Sequence, residues 1–201
     1  MHKKLASTAV ALAFGSFALV GTAQATGYNF KEYWKCLKTP PIAYPGTIAD
    51  AACDPNLAGV LGTLCAAVVA ANPAIADALS NPDAKLTVFA PTNEAFAAVP
   101  FLDTLLVPEN QALLDNVLLY HVVGKPVDPR RSAIIREVDT LQGQSLFFSY
   151  DGYPNINQST TLDLDQMPSC QAVRTDNGIV WIIDSVLQPQ YFPSPDPATV
   201  D

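Results

Sequence analysis

Apolar and polar positions in the first half of the chain predict two consecutive helices. Apolar residues recur at helical spacing over 57–69, and Asp54-Pro55 supplies an N-cap and a first helical position for them. Asn72-Pro73 ends this pattern and caps a shorter helix that runs through Leu79. The sequence therefore predicts a longer helix followed directly by a short one.

The next run predicts a strand that leads directly into a helix. Residues Leu86–Ala90 have the two-residue period of a pleated strand. Pro91 ends the strand because it has no N–H to donate. Thr92 is a good N-cap, and Glu94 then lies near the positive end of the new helix.

The second half of the chain changes from helical to extended. A helix that Pro108 opens runs to Tyr120, and an extended Val122-Val123 segment follows it. Asp176-Asn177-Gly178 is the strongest hairpin signal in the chain. The remaining predicted elements are a short helical turn at Leu102–Leu106, strands at Ser145–Tyr150 and Asn155–Leu164 joined around Asp151-Gly152, and the two strands of that hairpin, Gln171–Thr175 and Ile179–Ile183.

Three of these segments resemble the signature segments of the fasciclin domain family. They are Leu86–Phe96, Leu118–Val123 and Asn177–Pro189, and they occur in the family's order. The resemblance runs from Asp54 to Pro189. It implies an α+β fold of the fasciclin type, in which a twisted β-wedge sheet packs with several α-helices. It also implies a module for adhesion or binding and no single reaction.

The first 25 residues have the features of a secretory signal peptide. Lys3 and Lys4 form a basic start, residues 5–20 are mostly small and apolar, and Ala23-Gln24-Ala25 matches a cleavage site. We expect cleavage after Ala25 and a secreted protein, extracellular or periplasmic, without a membrane span. The predicted organisation is a signal peptide at 1–25, an N-terminal extension at 26–53, the fasciclin domain at 54–189 and a Pro-rich tail at 190–201.

The net charge of the chain limits the classes of partner that it can bind. Cleavage removes two of the 11 basic residues and none of the 19 acidic ones, so the net charge falls from −8 to −10. A strongly acidic protein is repelled by nucleic acid and by anionic membranes. The aromatic residues of the extension predict that it packs on the domain or contacts a partner, and the sequence leaves both open.

Four cysteines remain after cleavage, namely Cys36, Cys53, Cys65 and Cys170. An even number in an exported chain favours disulfides, and the spacings match no zinc site. Four cysteines allow three pairings, which the sequence does not decide. We favour Cys36–Cys53 and Cys65–Cys170.

His121 is the only histidine left after cleavage, so histidine-based catalysis would have to use it. No nucleophile elbow, zinc-protease motif, P-loop or dinucleotide fingerprint is present. We therefore predict no catalytic residues, no metal site and no cofactor, and a protein that is not an enzyme.

Three residues, Tyr120, His121 and Trp181, have both a structural and a binding interpretation. Tyr120 and His121 could pack at the helix-to-strand joint, with Thr92 or Asn93 as the hydrogen-bond partner. The resemblance makes the same pair candidate partner-binding residues, because the Tyr-His region of animal family members is implicated in integrin-dependent adhesion. Trp181 stands where the family usually has histidine, and it is either a packing residue or part of an apolar ligand surface.

The leading functional hypothesis is a secreted interaction protein that acts in cell adhesion or in surface or matrix attachment. Its partner would be a protein or a polysaccharide, and its mechanism would be recognition without turnover. The alternative is a carrier or binder of a small apolar ligand such as a carotenoid or a lipid.

Overall fold

The computed structural model describes residues 37–131, 135–150, 154–157, 160–161 and 172–190. The predicted signal peptide, residues 26–36 of the extension, the Asp151-Gly152 turn and the tail beyond residue 190 lie outside these ranges. Within them, no helix combines the length and apolarity that a bilayer crossing requires. The helices are α1 (Ile48–Ala52), α2 (Ala58–Ala70), α3 (Pro73–Ser80), α4 (Asn93–Ala97), α5 (Leu102–Leu105) and α6 (Gln111–Tyr120), with 3₁₀ turns at Pro108–Asn110 and Pro129–Arg131.

The strands form two sheets. The five-stranded sheet has the order β1-β8-β9-β2-β3, with parallel pairs β1–β8 and β9–β2, and the four-stranded sheet β4-β5-β6-β7 is antiparallel. The strands are β1 (Ile42–Ala43), β2 (Leu86–Pro91), β3 (Val122–Val123), β4 (Glu137–Asp139), β5 (Ser145–Tyr150), β6 (Pro154–Ile156), β7 (Thr160–Thr161), β8 (Val173–Thr175) and β9 (Gly178–Ile183).

Strand β2 lies between β9 and β3 and is buried along its whole length. It runs parallel to β9 in a register that begins with Leu86 opposite Gly178. Its two faces enter different cores, with Val88 among the helices and Phe89 among the side chains of the second sheet. The predicted strand is confirmed, and so is the cap that follows it, since Thr92 Oγ1 accepts a 3.1 Å hydrogen bond from the Ala95 N–H.

The start of α2 differs from the prediction. Leu57, and not Asp54, is the N-cap. The Asp54 carboxylate instead accepts hydrogen bonds from the Asn56 N–H and from the Tyr44 hydroxyl, each at 2.8 Å. These bonds hold Asp54 in a turn of its own, so the helix begins at Ala58.

Two further predictions concern strands in the second half of the chain, and one of them is corrected. The continuous strand predicted at Asn155–Leu164 is wrong, because β6 ends at Ile156 and Asn157 has a φ of 52°. The hairpin predicted around Asn177 is confirmed, with Thr175 opposite Gly178 in the β8–β9 register.

Residues ahead of the predicted domain start contribute to the fold. Strand β1 pairs with β8, and Ile48 of α1 is only 1% exposed. The buried Asn177 fixes α1 from the other side, since its Oδ1 accepts the Ile48 N–H at 2.8 Å. The same amide donates to the Leu79 and Asn81 carbonyls at 2.8 and 2.9 Å, which joins α1, α3 and the β8–β9 hairpin.

The favoured disulfide pairing is wrong. Cys53 is bonded to Cys65, with a Cα–Cα distance of 4.9 Å. The reason is the packing of α1 against α2, which places the residue after α1 beside the middle of α2. Cys36 and Cys170 lie outside the described residues.

Candidate functional site

The joint between α6 and β3 holds the two residues that the sequence singled out. Helix α6 ends at Tyr120, His121 is its C-cap, and β3 begins at Val122. Tyr120 is 2% exposed and His121 is 3% exposed. Both side chains point into the protein, as the packing interpretation predicted.

Both ring nitrogens of His121 are engaged inside the fold. Its Nδ1 lies 2.8 Å from the Val117 carbonyl oxygen, and its Nε2 lies 2.9 Å from the Leu187 backbone nitrogen. The carbonyl requires a proton on Nδ1 and the Leu187 N–H requires a lone pair on Nε2, so the ring is neutral. Burial lowers the pKa of His121 to about 4, although the Val117 hydrogen bond acts in the opposite direction.

The predicted hydrogen-bond partners of the joint are wrong. Thr92 caps α4, and Asn93 reaches the backbone of α2. The Asn93 Oδ1 accepts the Thr63 N–H at 2.9 Å while its Nδ2 donates to the Gly59 carbonyl at 3.0 Å. These two bonds tie α4 to the first turns of α2.

Tyr120 connects the joint to the second sheet. Its hydroxyl donates to the Ser145 carbonyl at 3.3 Å and accepts from the Asn157 Nδ2 at 2.8 Å. Burial raises the pKa of Tyr120, and the Asn157 bond partly offsets that shift. The Asn157 Oδ1 in turn accepts the Phe147 N–H at 2.9 Å. The unusual backbone at Asn157 therefore serves to present both ends of its amide.

Trp181 is a packing residue, as one of its two interpretations predicted. It is 1% exposed, and its Nε1 donates to the Val127 carbonyl at 3.0 Å. The Arg130 guanidinium lies over the indole ring, 4.9 Å from its centroid. Arg130 is itself buried and forms two 2.9 Å hydrogen bonds to the two carboxylate oxygens of Asp128. The pair with Asp128 compensates for the burial of the cation.

An apolar groove of about 250 Å³ lies beside this joint, between α3, α6 and the β2–β3 strands. We call it the α3–α6 groove. Leu119 and Val122, the residues on either side of the Tyr120-His121 pair, line it. The other lining residues are Asn72, Ala74, Ile75, Ala78, Leu79, Leu86, Asp115 and Leu141.

One carboxylate interrupts the apolar lining of the groove. Asp115 Oδ1 accepts the backbone N–H of Asn72 at 2.8 Å, where α3 begins. No other hydrogen bond or ion pair to Asp115 occurs in the described part of the chain. The groove therefore offers an apolar surface with one negatively charged acceptor.

The chemical possibilities of the joint are limited by its bonding. His121 could accept a proton from a substrate only by giving up its bond to Leu187. Across the ranges that the structure describes, no group of three or more His, Cys, Asp or Glu side chains could hold a metal ion. As the joint is built, both nitrogens of His121 are occupied by bonds within the fold.

Comparison with known proteins decides the family. The model of the fasciclin domain matches residues 61–189. The chain belongs to the fasciclin domain family. A 39% identical relative, the protein sll1483 of Synechocystis, aligns over 63% of this chain and 66% of its own length, slightly under two thirds. The immunogenic protein MPT70 of Mycobacterium tuberculosis is 30% identical, over 92% of this chain and 98% of its own.

A solved structure confirms the α+β fold of the fasciclin type. It is the FAS1 domain pair from the insect cell adhesion molecule fasciclin I, with a TM-score of 0.58 and 15% identity. The alignment covers 72% of this chain and 51% of that chain, so this fasciclin domain corresponds to about half of the pair. At this identity the likeness is one of fold alone.

The second signature segment of this fasciclin domain divides its side chains between two environments. Tyr120 and His121 face the interior, whereas Leu119 and Val122 line the α3–α6 groove. The sequence analysis named the first pair and missed the second. The sequence signal for the groove was a pair of small residues one helical turn apart, Ala74 and Ala78. Their spacing does not predict which residues lie on the opposite side of the groove.

Proposed function

We propose that this protein is a secreted interaction protein that works by non-catalytic binding in cell adhesion or in attachment to a surface or matrix. The observation that carries the proposal is the bonding of His121, whose two nitrogens are both used within a fasciclin domain. The insect cell adhesion molecule fasciclin I contains domains of the same fold, and this likeness supports the proposal of an adhesive role. The partner would be a protein or polysaccharide at a cell surface or in a matrix.

The test is binding of the purified chain, labelled at one site, to cells and extracellular matrix of its own host. Saturable binding that excess unlabelled protein displaces is the expected result. An acidic protein of similar net charge serves as the control for electrostatic adsorption. A hydrolase activity that His121→Ala abolishes would overturn the proposal.

Direct contact of Tyr120 and His121 with the partner is a narrower proposal. The burial of both side chains favours an effect on stability over an effect on binding alone. His121→Ala separates the two roles. A variant with unchanged melting temperature and no partner binding would support direct contact, whereas a lower melting temperature with binding retained below it would support packing.

A carrier of a small apolar ligand is the second candidate function, and the α3–α6 groove is the observation that favours it. Its volume of about 250 Å³ is just below the ~300 to 1,000 Å³ typical of small-molecule pockets. A groove of this size would hold part of an alkyl chain more readily than a whole pigment. Native mass spectrometry of protein from its own host tests this candidate, because an adduct lost on denaturation would reveal the ligand.

A further inference from the structure

We propose that the α3–α6 groove binds the alkyl chain of a medium-length amphiphile whose head group is cationic or neutral and donates a hydrogen bond to Asp115. This inference depends on the second candidate function and specifies its ligand. Nothing in the bonding of the Tyr120-His121 joint is required for it.

The apolar part of the groove matches an alkyl chain. The buried lining residues Ile75, Leu79, Leu86 and Val122 are all aliphatic. They present no hydrogen-bonding side chain to a ligand, so an apolar group gains from leaving water there. The volume equals that of roughly eight waters at ~30 Å³ each, which suits a chain of moderate length.

Small residues on α3 keep the groove open. Ala74 and Ala78 lie one turn apart on this helix and both line the groove, as does Leu119 of α6. A larger side chain at position 78 would occupy the space between α3 and α6. Since Ala78 is exposed, such a side chain can be accommodated without disturbing the buried core.

The carboxylate of Asp115 sets the head-group chemistry. Oδ1 accepts the Asn72 N–H, and Oδ2 has no partner among the described residues. An ammonium or hydroxyl group at this position would donate to Oδ2. The carboxylate of a fatty acid would instead meet a like charge, and the net charge of −8 for the whole chain adds to that repulsion.

In the experiment, the purified chain is titrated with decylammonium, decanol and decanoate below their aggregation concentrations. Binding is measured by calorimetry and by changes in amide chemical shifts. We expect decylammonium and decanol to bind, and decanoate to bind at least about tenfold more weakly because of the charge on Asp115. Shifted amides should include Ala78, Leu119 and Val122.

Three variants isolate the site. Ala78→Phe should lower the affinity for every probe that binds by at least about tenfold. Ala66→Phe, at an exposed position of α2, should leave these affinities unchanged. Asp115→Asn keeps a carbonyl oxygen for the Asn72 N–H and removes the charge. It should therefore reduce the preference for decylammonium over decanoate.

The possible failures are distinguishable. If no probe binds, or if Ala78→Phe has no effect, the groove is not the ligand site and the carrier function fails with it, while the adhesion proposal is unaffected. If decanoate binds as tightly as decylammonium and Ala78→Phe weakens both, the groove remains a ligand site and the head-group inference is wrong. Equal weakening by Ala66→Phe and Ala78→Phe would mean that the loss is not specific to the groove, and would overturn the assignment of the site.

Discussion

The backbone N–H of Leu187 donates a 2.9 Å hydrogen bond to Nε2 of His121, across 66 residues of sequence. The other ring nitrogen bonds to the Val117 carbonyl in the last turns of α6. One neutral imidazole thus joins that helix to the segment that follows β9. Protonation of Nε2 would remove the acceptor of this bond. Because Leu187 is buried, its N–H could not form a hydrogen bond to water instead.

The stability of the protein should therefore decrease on mild acidification. The folded pKa of His121 is about 4, below the ordinary value of 6.5, so the unfolded chain binds a proton that the folded protein does not. The free energy of unfolding should fall as the pH is lowered from about 6.5 to about 4, by up to about 3 kcal/mol. Above pH 7 the free energy of unfolding should not depend on the titration of His121. Urea titrations at half-unit pH intervals measure the effect.

His121→Gln is the control for this titration, because glutamine has no proton to gain. Between pH 6.5 and 5 the variant should have a flat profile on a lower baseline. Asp50 and Asp54, whose carboxylates have lowered pKa values through hydrogen bonds from Thr47 and Asn56, contribute only at more acidic pH. A flat wild-type profile over the same interval would contradict the prediction.

Trp181 and Arg130 should stabilise the fold as a pair. Trp181→Phe removes the Nε1 bond to Val127 and leaves a smaller aromatic ring beneath the Arg130 guanidinium. We expect a loss of about 2 kcal/mol in the free energy of unfolding, measured by chemical denaturation. The matched substitution Phe147→Leu, at a side chain that is 49% exposed, should change it by less than about 0.5 kcal/mol. Equal effects of the two would rule out a special role for Trp181.

Gly178 and Gly59 should respond oppositely to alanine. A Cβ at Gly178 would overlap the carbonyl oxygen of Leu86 and come within 2.9 Å of Ile48 Cδ1, so Gly178→Ala should cost about 3 kcal/mol or more. A Cβ at Gly59 in α2 meets nothing within 4 Å, and Gly59→Ala should stabilise by about 0.5 to 1 kcal/mol. Melting curves of the two variants give the comparison, and a tolerated Gly178→Ala would mean that β2 and β9 are not this close.

Non-reducing peptide mapping should recover Cys53 linked to Cys65. Replacing Cys53 and Cys65 together by serine should cost about 3 kcal/mol, as expected for a loop of this length. Recovery of Cys36 linked to Cys53 would contradict the structure.

Local patterns in the sequence were sufficient for the elements whose ends are set by nearby residues. The strand at Leu86, the Thr92 cap and the β8–β9 hairpin were all predicted, because backbone period, capping and turn chemistry act over a few residues. The start of α2 was predicted at the wrong residue because a contact from outside the local sequence affects it. A hydroxyl ten residues away, on Tyr44, takes part in holding Asp54 outside the helix.

The sequence by itself determined the family, the α+β class, the order of the main elements and the pair of residues at the α6–β3 joint. Only the tertiary structure decided which cysteines pair, that Leu187 bonds to His121, and that Asp115 faces an apolar groove with Leu119 and Val122. Each of these depends on side chains brought together from separate elements, and a periodic pattern specifies which face of an element is buried but not what it is buried against.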